Sequence, residues 1–373
     1  MTSRERLNAI FRNEPVDRPA LKLWGFYPGQ KLIDDAYRPV YDLAAQVSDY
    51  MCGCASPADI RLGTAAGRIT ETTRAHGPTT QWEDITTVWH TPAGDLKSVY
   101  RASTTGLPGY DLEHPVKTPQ DLEALLSVPY TPYPISLASY SALDERIADN
   151  GICVYDTGNA MYTLQAVIGP ENFALMSIEC RELVHNVIAE YAQRIRLEVE
   201  RVFDAGLKPV FGWVGPEVCI PPLMSPRDFE DFVMRYDKPL CDYIHERGGH
   251  IWVHCHNHVS NFIEWFIHMG VDVLNPIEPP PMGDVHLAQA VERFGHCIGF
   301  EGNIETHDLW TAGSTRIEEL VAVAVQEGGK SGRFILCPSA GYMEFTNPTQ
   351  TYIDNLLTYL RCGYEQVCAQ SKQ

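Results

Sequence analysis

Two histidines separated by one residue follow a short apolar run, and their spacing is suited to metal chemistry. Ile251-Trp252-Val253 leads directly into His254-Cys255-His256. Residues i and i+2 of a strand point to the same side, so His254 and His256 would share one face. Zinc prefers nitrogen and sulfur donors in a tetrahedral site. The pattern therefore predicts that this pair binds zinc at the end of a strand.

Four other apolar runs are also followed by polar side chains. These side chains are Glu217, Glu278, Asn303 and Cys337. Catalytic groups of a parallel barrel collect at the carboxyl ends of its strands. We therefore expect Cys337 to give a thiolate ligand and Glu217 a carboxylate ligand to the metal. A buried cysteine that only packs and a turn role for Asn303 are the competing interpretations.

The elements that must position these residues follow a regular sequence pattern from residue 151 onward. Short apolar runs alternate with amphipathic segments, which is typical of βα units and a parallel sheet. Seven candidate strands can be placed, and an eighth is expected near 45–60. We therefore predict an α/β fold, a (β/α)₈ TIM barrel. A doubly wound sheet competes, but its nucleotide-binding form needs a G-x-G-x-x-G turn, which the sequence lacks. The seven runs are Ala20–Phe26, Ile152–Tyr155, Pro209–Val214, Ile251–Cys255, Val271–Asn275, Cys297–Phe300 and Phe334–Cys337.

The region before residue 151 is predicted to be an extension of the same domain. Residues 2–13 read as an amphipathic helix that opens with a Thr2-x-x-Glu5 capping box. Residues 67–104 are rich in Thr, Val and aromatics and predict a small antiparallel β element. We expect one domain over 1–373, with a helical and antiparallel N-terminal extension and a lid-like insertion at about 27–145.

Composition excludes several classes of function. The chain has 29 Lys+Arg against 48 Asp+Glu, a formal charge of −19, which disfavours a nucleic-acid partner. It has no apolar run of about 18 residues, so no membrane span is expected. The charged first 20 residues do not resemble a signal peptide, which predicts a cytoplasmic protein. Its 11 cysteines are then expected to be reduced.

The order of short motifs resembles the uroporphyrinogen decarboxylase superfamily, and within it the corrinoid-linked methyltransferases. The motifs are Thr2–Arg6, Asp17-Arg18-Pro19, the His-rich strand end, Gly302-Asn303 and Cys337-Pro338-Ser339. The stretch from Asn275 to Asp284 is similar to the branch that demethylates methyl ethers. The resemblance implies a TIM barrel and a zinc site built from an H-x-C pair and a later Cys. His254 and Cys337 match that set, whereas His256 replaces its middle cysteine.

The resemblance also implies a reaction, which is methyl transfer from an O-methyl donor such as a methoxylated aromatic. The acceptor would be the Co(I) corrinoid of a partner protein, and zinc would act on the ether oxygen. Glu217, Glu278 and Asp156 are candidate proton donors. Candidate substrate contacts are Trp24, Phe26, Tyr27, Trp213 and Asn303, with ordinary core packing as the alternative for the aromatic residues.

Other activities remain open at this point. A methylcorrinoid:thiol methyltransferase would use the same fold in the reverse direction, and a metal-free decarboxylase would need no zinc. A homodimer is compatible with the sequence, which does not determine the oligomeric state.

Overall fold

The protein is built around a curled parallel sheet of eight strands. The computed structural model describes residues 1–56, 59–341 and 346–370. The strand order is β1-β12-β11-β10-β9-β8-β7-β2, and a separate antiparallel sheet has the order β3-β4-β5-β6. The strands are β1 (Ala20–Leu21), β2 (Tyr50–Ala55), β3 (Thr70–His76), β4 (Trp82–Thr91), β5 (Gly94–Ser103), β6 (Tyr110–Glu113), β7 (Gly151–Asp156), β8 (Val210–Val214), β9 (His250–His254), β10 (Val273–Asn275), β11 (Gly299–Ile304) and β12 (Phe334–Pro338).

The helices lie between the parallel strands and around them. A 3₁₀ turn at Pro216–Cys219 follows β8. The helices are α1 (Ser3–Phe11), α2 (Arg38–Val47), α3 (Ala66–Ile69), α4 (Pro119–Leu126), α5 (Ala138–Ile147), α6 (Ala160–Ile168), α7 (Pro170–Glu179), α8 (Arg181–Asp204), α9 (Pro226–Phe229), α10 (Arg235–Glu246), α11 (Ile263–Met269), α12 (Leu287–Phe294), α13 (Thr306–Thr311), α14 (Ser314–Gly328) and α15 (Gln350–Gln370).

The two edge strands β1 and β2 are joined through Asp49, the residue before β2. Its backbone N–H donates to the Leu21 carbonyl at 2.7 Å, and its side chain accepts from the Leu21 N–H at 2.8 Å. The same carboxylate accepts from Arg6 at 2.6 Å and from Arg18 at 3.0 Å, and it is fully buried. Two arginines and a backbone amide therefore compensate one buried charge where the curled sheet closes.

A small apolar core fills the inside of the curled sheet. It contains alternate residues of the strands, among them Val154, Trp252 and Ile335, together with Leu7 and Phe11 of α1. The Phe11 ring lies 6.3 Å from that of His250, at the start of β9. Helix α1 therefore covers the end of the sheet where the strands begin and leaves their carboxyl ends for a site. The larger core lies between the sheet and the helices.

The structure confirms the predicted fold class and adds detail. The expected eighth strand is β2, within the predicted 45–60 region. Helix α1 has the predicted capping box, in which Thr2 and Glu5 bond each other's backbone N–H. The predicted antiparallel element is present as β3 to β5, and β6 extends it beyond residue 104. The amphipathic segment between the runs Ile152–Tyr155 and Pro209–Val214 contains three helices, α6 to α8, and α7 ends before Cys180.

Candidate active site

His254 and His256 lie side by side at the carboxyl end of β9. Their rings are edge to face, with centroids 4.5 Å apart. The Nδ1 atom of His254 bonds the side-chain oxygen of Asn275, and Nδ1 of His256 bonds Glu278 Oε1 at 2.9 Å. Hydrogen-bond acceptors at Nδ1 favour the tautomer whose Nε2 has a free lone pair. Both rings are thus held as metal-ligating imidazoles usually are.

The two imidazoles have opposite electrostatic environments. Burial, together with the neighbouring His256, lowers the pKa of His254 to about 3. Burial also acts to lower the pKa of His256, but the hydrogen bond and charge of Glu278 outweigh it, so this pKa is raised. His254 is therefore neutral near pH 7 and able to act as a ligand. His256 keeps a proton to higher pH than His254 does, and only its neutral form can bind a metal.

Three carboxylates surround His256. Glu278 bonds its ring and also accepts from the Asn257 N–H at 3.1 Å. Burial raises the pKa of Glu217, and its Oε2 is buried with no hydrogen-bond partner in the described chain. Burial and the charge of Glu278 raise the pKa of Glu305 to about 7. The site thus holds carboxyl groups that keep a proton at higher pH than exposed ones do.

A cavity of about 300 Å³ opens beside His254 at the carboxyl ends of the strands. Its walls are mainly apolar, and Trp24 and Trp252 supply much of the aromatic surface. Its charged or titratable lining groups are Lys22, Asp156 and His254. This size and lining suit one substituted aromatic ring, since small-molecule sites are mostly apolar with a few placed polar groups.

The floor of this cavity contains a buried ion pair. Lys22 Nζ lies 2.6 Å from Glu301 Oε1, and both residues are almost completely buried. Glu301 Oε2 accepts from the Trp252 indole N–H at 2.8 Å. The Lys22 ammonium also lies 3.3 Å from the centre of the Trp24 ring. One carboxylate therefore fixes both the ammonium and the second tryptophan.

Cys337 lies on the inner side of β12, level with Asn303 of β11. Its thiol is fully buried, and its charged neighbours are Lys22 and Glu301. Burial raises the pKa of this thiol well above its usual range, whereas a metal ligand must be a thiolate. Its surroundings are therefore those of a packed thiol.

The four predicted metal ligands do not form a completed centre. Over the residues that the structure describes, no three His, Cys, Asp or Glu side chains are placed to hold a metal ion as they stand. The anchored His254 and His256, and the unpartnered Oε2 of Glu217, fit a zinc ion chemically. Zinc binding by Glu217 and Cys337 stays a prediction, and Cys337 would need to be deprotonated.

Some of the predicted catalytic and substrate-binding residues line the cavity, and others lie in the outer core or away from it. Trp24 lines the cavity, and so does Asp156, whose pKa is raised by burial. Phe26 instead packs in the outer core, 5.9 Å from Tyr37, and Tyr27 packs against the same core. Trp213 borders the cavity, but its ring lies in the outer core and is only 1% exposed. Asn303 is half-buried and is not among the cavity-lining residues.

A second cavity, of about 410 Å³, shares Asp156 with the first. It is more polar, and its lining includes Thr157, Tyr162, Asp59 and Arg61. Arg61 pairs with Asp59 at 3.0 Å and lies 5.4 Å from the Trp89 ring of β4. The antiparallel sheet therefore contacts a residue in the wall of this cavity.

Sequence reasoning missed several residues of the site. Lys22, Trp252, Asn275, Glu301 and Glu305 were not proposed as functional groups. A signal existed for two of them, because Lys22 is a charged residue inside the apolar Ala20–Phe26 run and Glu301 directly follows the run Cys297–Phe300. Asn275 had no such signal, since its role depends on its position beside His254 in the sheet.

Comparison with known proteins identifies the family to which this chain belongs. The profile of the uroporphyrinogen decarboxylase (URO-D) family matches residues 104–353. The chain therefore belongs to the uroporphyrinogen decarboxylase family. No curated protein sequence matches it significantly.

Among solved structures, a methyltransferase from Methanosarcina mazei is similar along its full length. It has 15% sequence identity and a TM-score of 0.63, over 98% of this chain and 99% of that one. At that identity the likeness establishes a shared fold. A Bacillus subtilis mannanase matches with 9% identity and a TM-score of 0.41, over 94% of this chain and 88% of that one, which is too distant to carry an argument.

Proposed function

We propose that the protein is a zinc-dependent methyltransferase that moves a methyl group from an O-methyl donor to the Co(I) corrinoid of a partner protein. The donor would be a methoxylated aromatic compound. The observation that carries the proposal is the pair of anchored imidazoles, His254 and His256, at the rim of an aromatic-lined cavity. The URO-D family and the fold shared with a methyltransferase support it.

The residues of this chain would hold the metal and orient the donor. His254, His256 and Glu217 would hold zinc, with Cys337 as the further predicted ligand. Zinc, when bound, supplies a Lewis acid for the ether oxygen. Trp24 and Trp252 would orient the donor ring, which places its methyl group toward the open end of the cavity.

Proton transfer to the departing oxygen would come from a buried carboxyl group. Burial raises the pKa of Asp156, so it holds a proton at higher pH than an exposed carboxyl. Burial also raises the pKa of Glu217, but as a zinc ligand Glu217 would be deprotonated and could not donate. Glu278 is less suited, because its two oxygens already bond His256 and the Asn257 N–H. Glu278 would instead position His256.

A porphyrinogen decarboxylase is the alternative that the family name suggests. Its substrate carries eight carboxylates, which require a set of basic side chains. Lys22 is the only cationic side chain among the described residues of the aromatic-lined cavity, since His254 is neutral, and Glu301 already compensates its charge. The cavity of about 300 Å³ is also small for a tetrapyrrole. Both observations favour methyl transfer.

The test is a methyl-transfer assay with a corrinoid protein reduced to Co(I). The zinc-loaded chain is supplied with methoxyarenes, methylamines and methyl thioethers, and formation of methyl-Co(III) is followed by absorbance. We expect methylation from methoxyarenes. Absence of transfer from every donor would overturn the proposal, and thiol methylation from methylcobalamin would favour the reverse reaction.

Two histidine variants make the metal assignment specific. His254→Ala should lose both bound zinc, measured by elemental analysis, and methyl transfer. His258→Ala is the matched control, since His258 is exposed and only two positions from His256. Equal zinc content in both variants would contradict the assignment.

A further inference from the structure

The Lys22 ammonium has hydrogen-bonding capacity that the protein does not use. An ammonium group carries three N–H donors. Glu301 accepts one of them at 2.6 Å, and the face of Trp24 lies 3.3 Å from the nitrogen. No described residue accepts the third N–H. Lys22 is only 2% exposed, yet it lines the aromatic cavity, so a molecule in that cavity would meet this free donor.

Lys22 and His254 lie at different depths. Lys22 and Trp252 share Glu301 as a partner, so they mark one level of the cavity. His254 follows Trp252 by two residues on the same strand, which places it about 6.6 Å further along the strand in the direction of the mouth. A single aromatic ring spans a comparable distance. A ring whose methoxy group lies beside His254 would direct its opposite end toward Lys22.

Charge decides which substituent belongs at that opposite end. The charge of Lys22 is already compensated by Glu301, and Asp156 is a second acid in the lining. A carboxylate buried there would meet an ammonium whose charge Glu301 already compensates, and burying an uncompensated charge is costly. A hydroxyl or carbonyl oxygen would accept the free N–H without adding charge.

We propose that Lys22 selects a donor with an uncharged oxygen acceptor on the ring opposite its methoxy group. This inference rests on the proposed function for the orientation of the ring, and it deepens that function by naming the substrate class. Lys22 would be a specificity-determining residue at the cavity floor, distant from the methyl group that is transferred.

Binding of three matched ligands tests the inference without turnover. Methoxybenzene, 4-methoxyphenol and 4-methoxybenzoate are titrated into the zinc-loaded chain, and tryptophan fluorescence reports occupation beside Trp24 and Trp252. We expect 4-methoxyphenol to bind about ten- to a hundredfold more tightly than methoxybenzene, as a hydrogen bond from a charged donor gives. We expect 4-methoxybenzoate to bind more weakly than the phenol.

Variants then assign the preference to Lys22. Lys22→Met alone leaves Glu301 buried without its partner and can unfold the protein. The double variant Lys22→Met/Glu301→Gln removes both charges and keeps an acceptor for the Trp252 N–H. It should bind the phenol and methoxybenzene within about twofold of each other, less than one weak hydrogen bond gives. Lys208→Met, at an exposed lysine, is the control that keeps the preference.

The outcomes separate this inference from the proposed function. An undiminished preference for the phenol in the double variant, tightest binding of the benzoate, or binding of none of the three ligands would overturn the inference. Methyl transfer without any preference among the ligands would overturn the inference alone. A Lys22-dependent preference without methyl transfer from any donor would overturn the proposed reaction. It would still support the role of Lys22 in selecting the ligand.

Discussion

His256 owes its electrostatic state to Glu278, a residue from the segment after the neighbouring strand β10. The two side chains are 2.9 Å apart, and the carboxylate raises the pKa of the ring against the effect of burial. His254 is paired instead with the neutral amide of Asn275. Adjacent imidazoles of one strand therefore have different proton affinities because the next strand gives them different partners.

Replacing Glu278 with glutamine should lower the pKa of His256. The amide oxygen can still accept from the ring but carries no charge, so the effect of burial then dominates. Imidazole signals followed by NMR across pH in the metal-free protein measure this change. Asp272→Asn is a useful comparison, because that carboxylate pairs with His245 at 3.0 Å and with His250 at 3.6 Å and should leave His256 unchanged. An unchanged His256 titration would contradict the assigned role of Glu278.

The sequence alone predicted that the two histidines lie together, but it could not predict the residues that hydrogen-bond them. Alternation along a strand predicts that His254 and His256 share a face, and this depends on one segment only. The contacts with Asn275 and Glu278 depend on the register of β9 with β10 and on the chain beyond it. The same limit applies to Phe26 and Trp213, since the sequence predicted rings near strand ends but could not determine which side of the sheet they face.

At the scale of elements, Asp49 closes the curled sheet and should be essential for stability. Asp49→Ala removes the partner of Arg6 and Arg18 and the acceptor for the Leu21 N–H. Breaking a buried ionic group by removing one member costs about 3–5 kcal/mol. Urea denaturation of the variant measures the loss. Asp204→Ala, which removes an exposed pair with Arg247, should change stability little, and equal effects would contradict this role.

Helices α6 and α10 are linked by a carboxyl group that should make stability depend on pH. Asp237 accepts from Asn159 at 2.6 Å, and burial raises its pKa from 3.8 to about 7. The folded chain therefore holds a proton that the unfolded chain releases between these values. Its contribution to stability is greatest below pH 3.8 and falls as the pH rises toward about 7.

The variant Asp237→Asn should remove this pH dependence. As the pH rises from 5 to 7, the free energy of unfolding of the variant should increase relative to that of the wild type. This pH window lies between the ordinary pKa of the carboxyl group, 3.8, and its pKa of about 7 in the folded protein. Urea denaturation at several pH values measures it, and the difference cancels the other titrating groups. A constant difference would show that Asp237 is ionised in the folded protein.

The sequence predicted strands best where they contain the residues that are typical of strands. Six strands from residue 151 onward, β7 to β12, were found as apolar runs between amphipathic segments. Strand β2 could not be placed, because Tyr50–Ala55 contains no Val, Ile or Thr and two of its residues are Cys. Strand β1 was predicted too long, since Lys22 to Phe26 continue the apolar run but leave the ladder to form the cavity wall and outer core.

At the scale of the whole molecule, the two sheets differ in how much surface they bury. Most inner strands of the parallel sheet are almost fully buried, whereas β3 has no buried residue. Trp89 and Leu96 are the buried residues of β4 and β5. Local opening needs least free energy where few apolar contacts must be broken. The antiparallel sheet should therefore open more easily than the barrel beside it.

Hydrogen exchange followed by mass spectrometry should show this difference directly. Amides of β3 to β6 are expected to exchange faster than those of β8 to β12, although both sets are hydrogen-bonded. Trp89→Ala should accelerate exchange in the antiparallel sheet only, because Trp89 joins that sheet to the main core and to Arg61. Trp82→Ala, at the other end of the same strand where the ring packs on Tyr110, is the matched control. Equal acceleration throughout the barrel in Trp89→Ala would mean that the two sheets unfold as one unit.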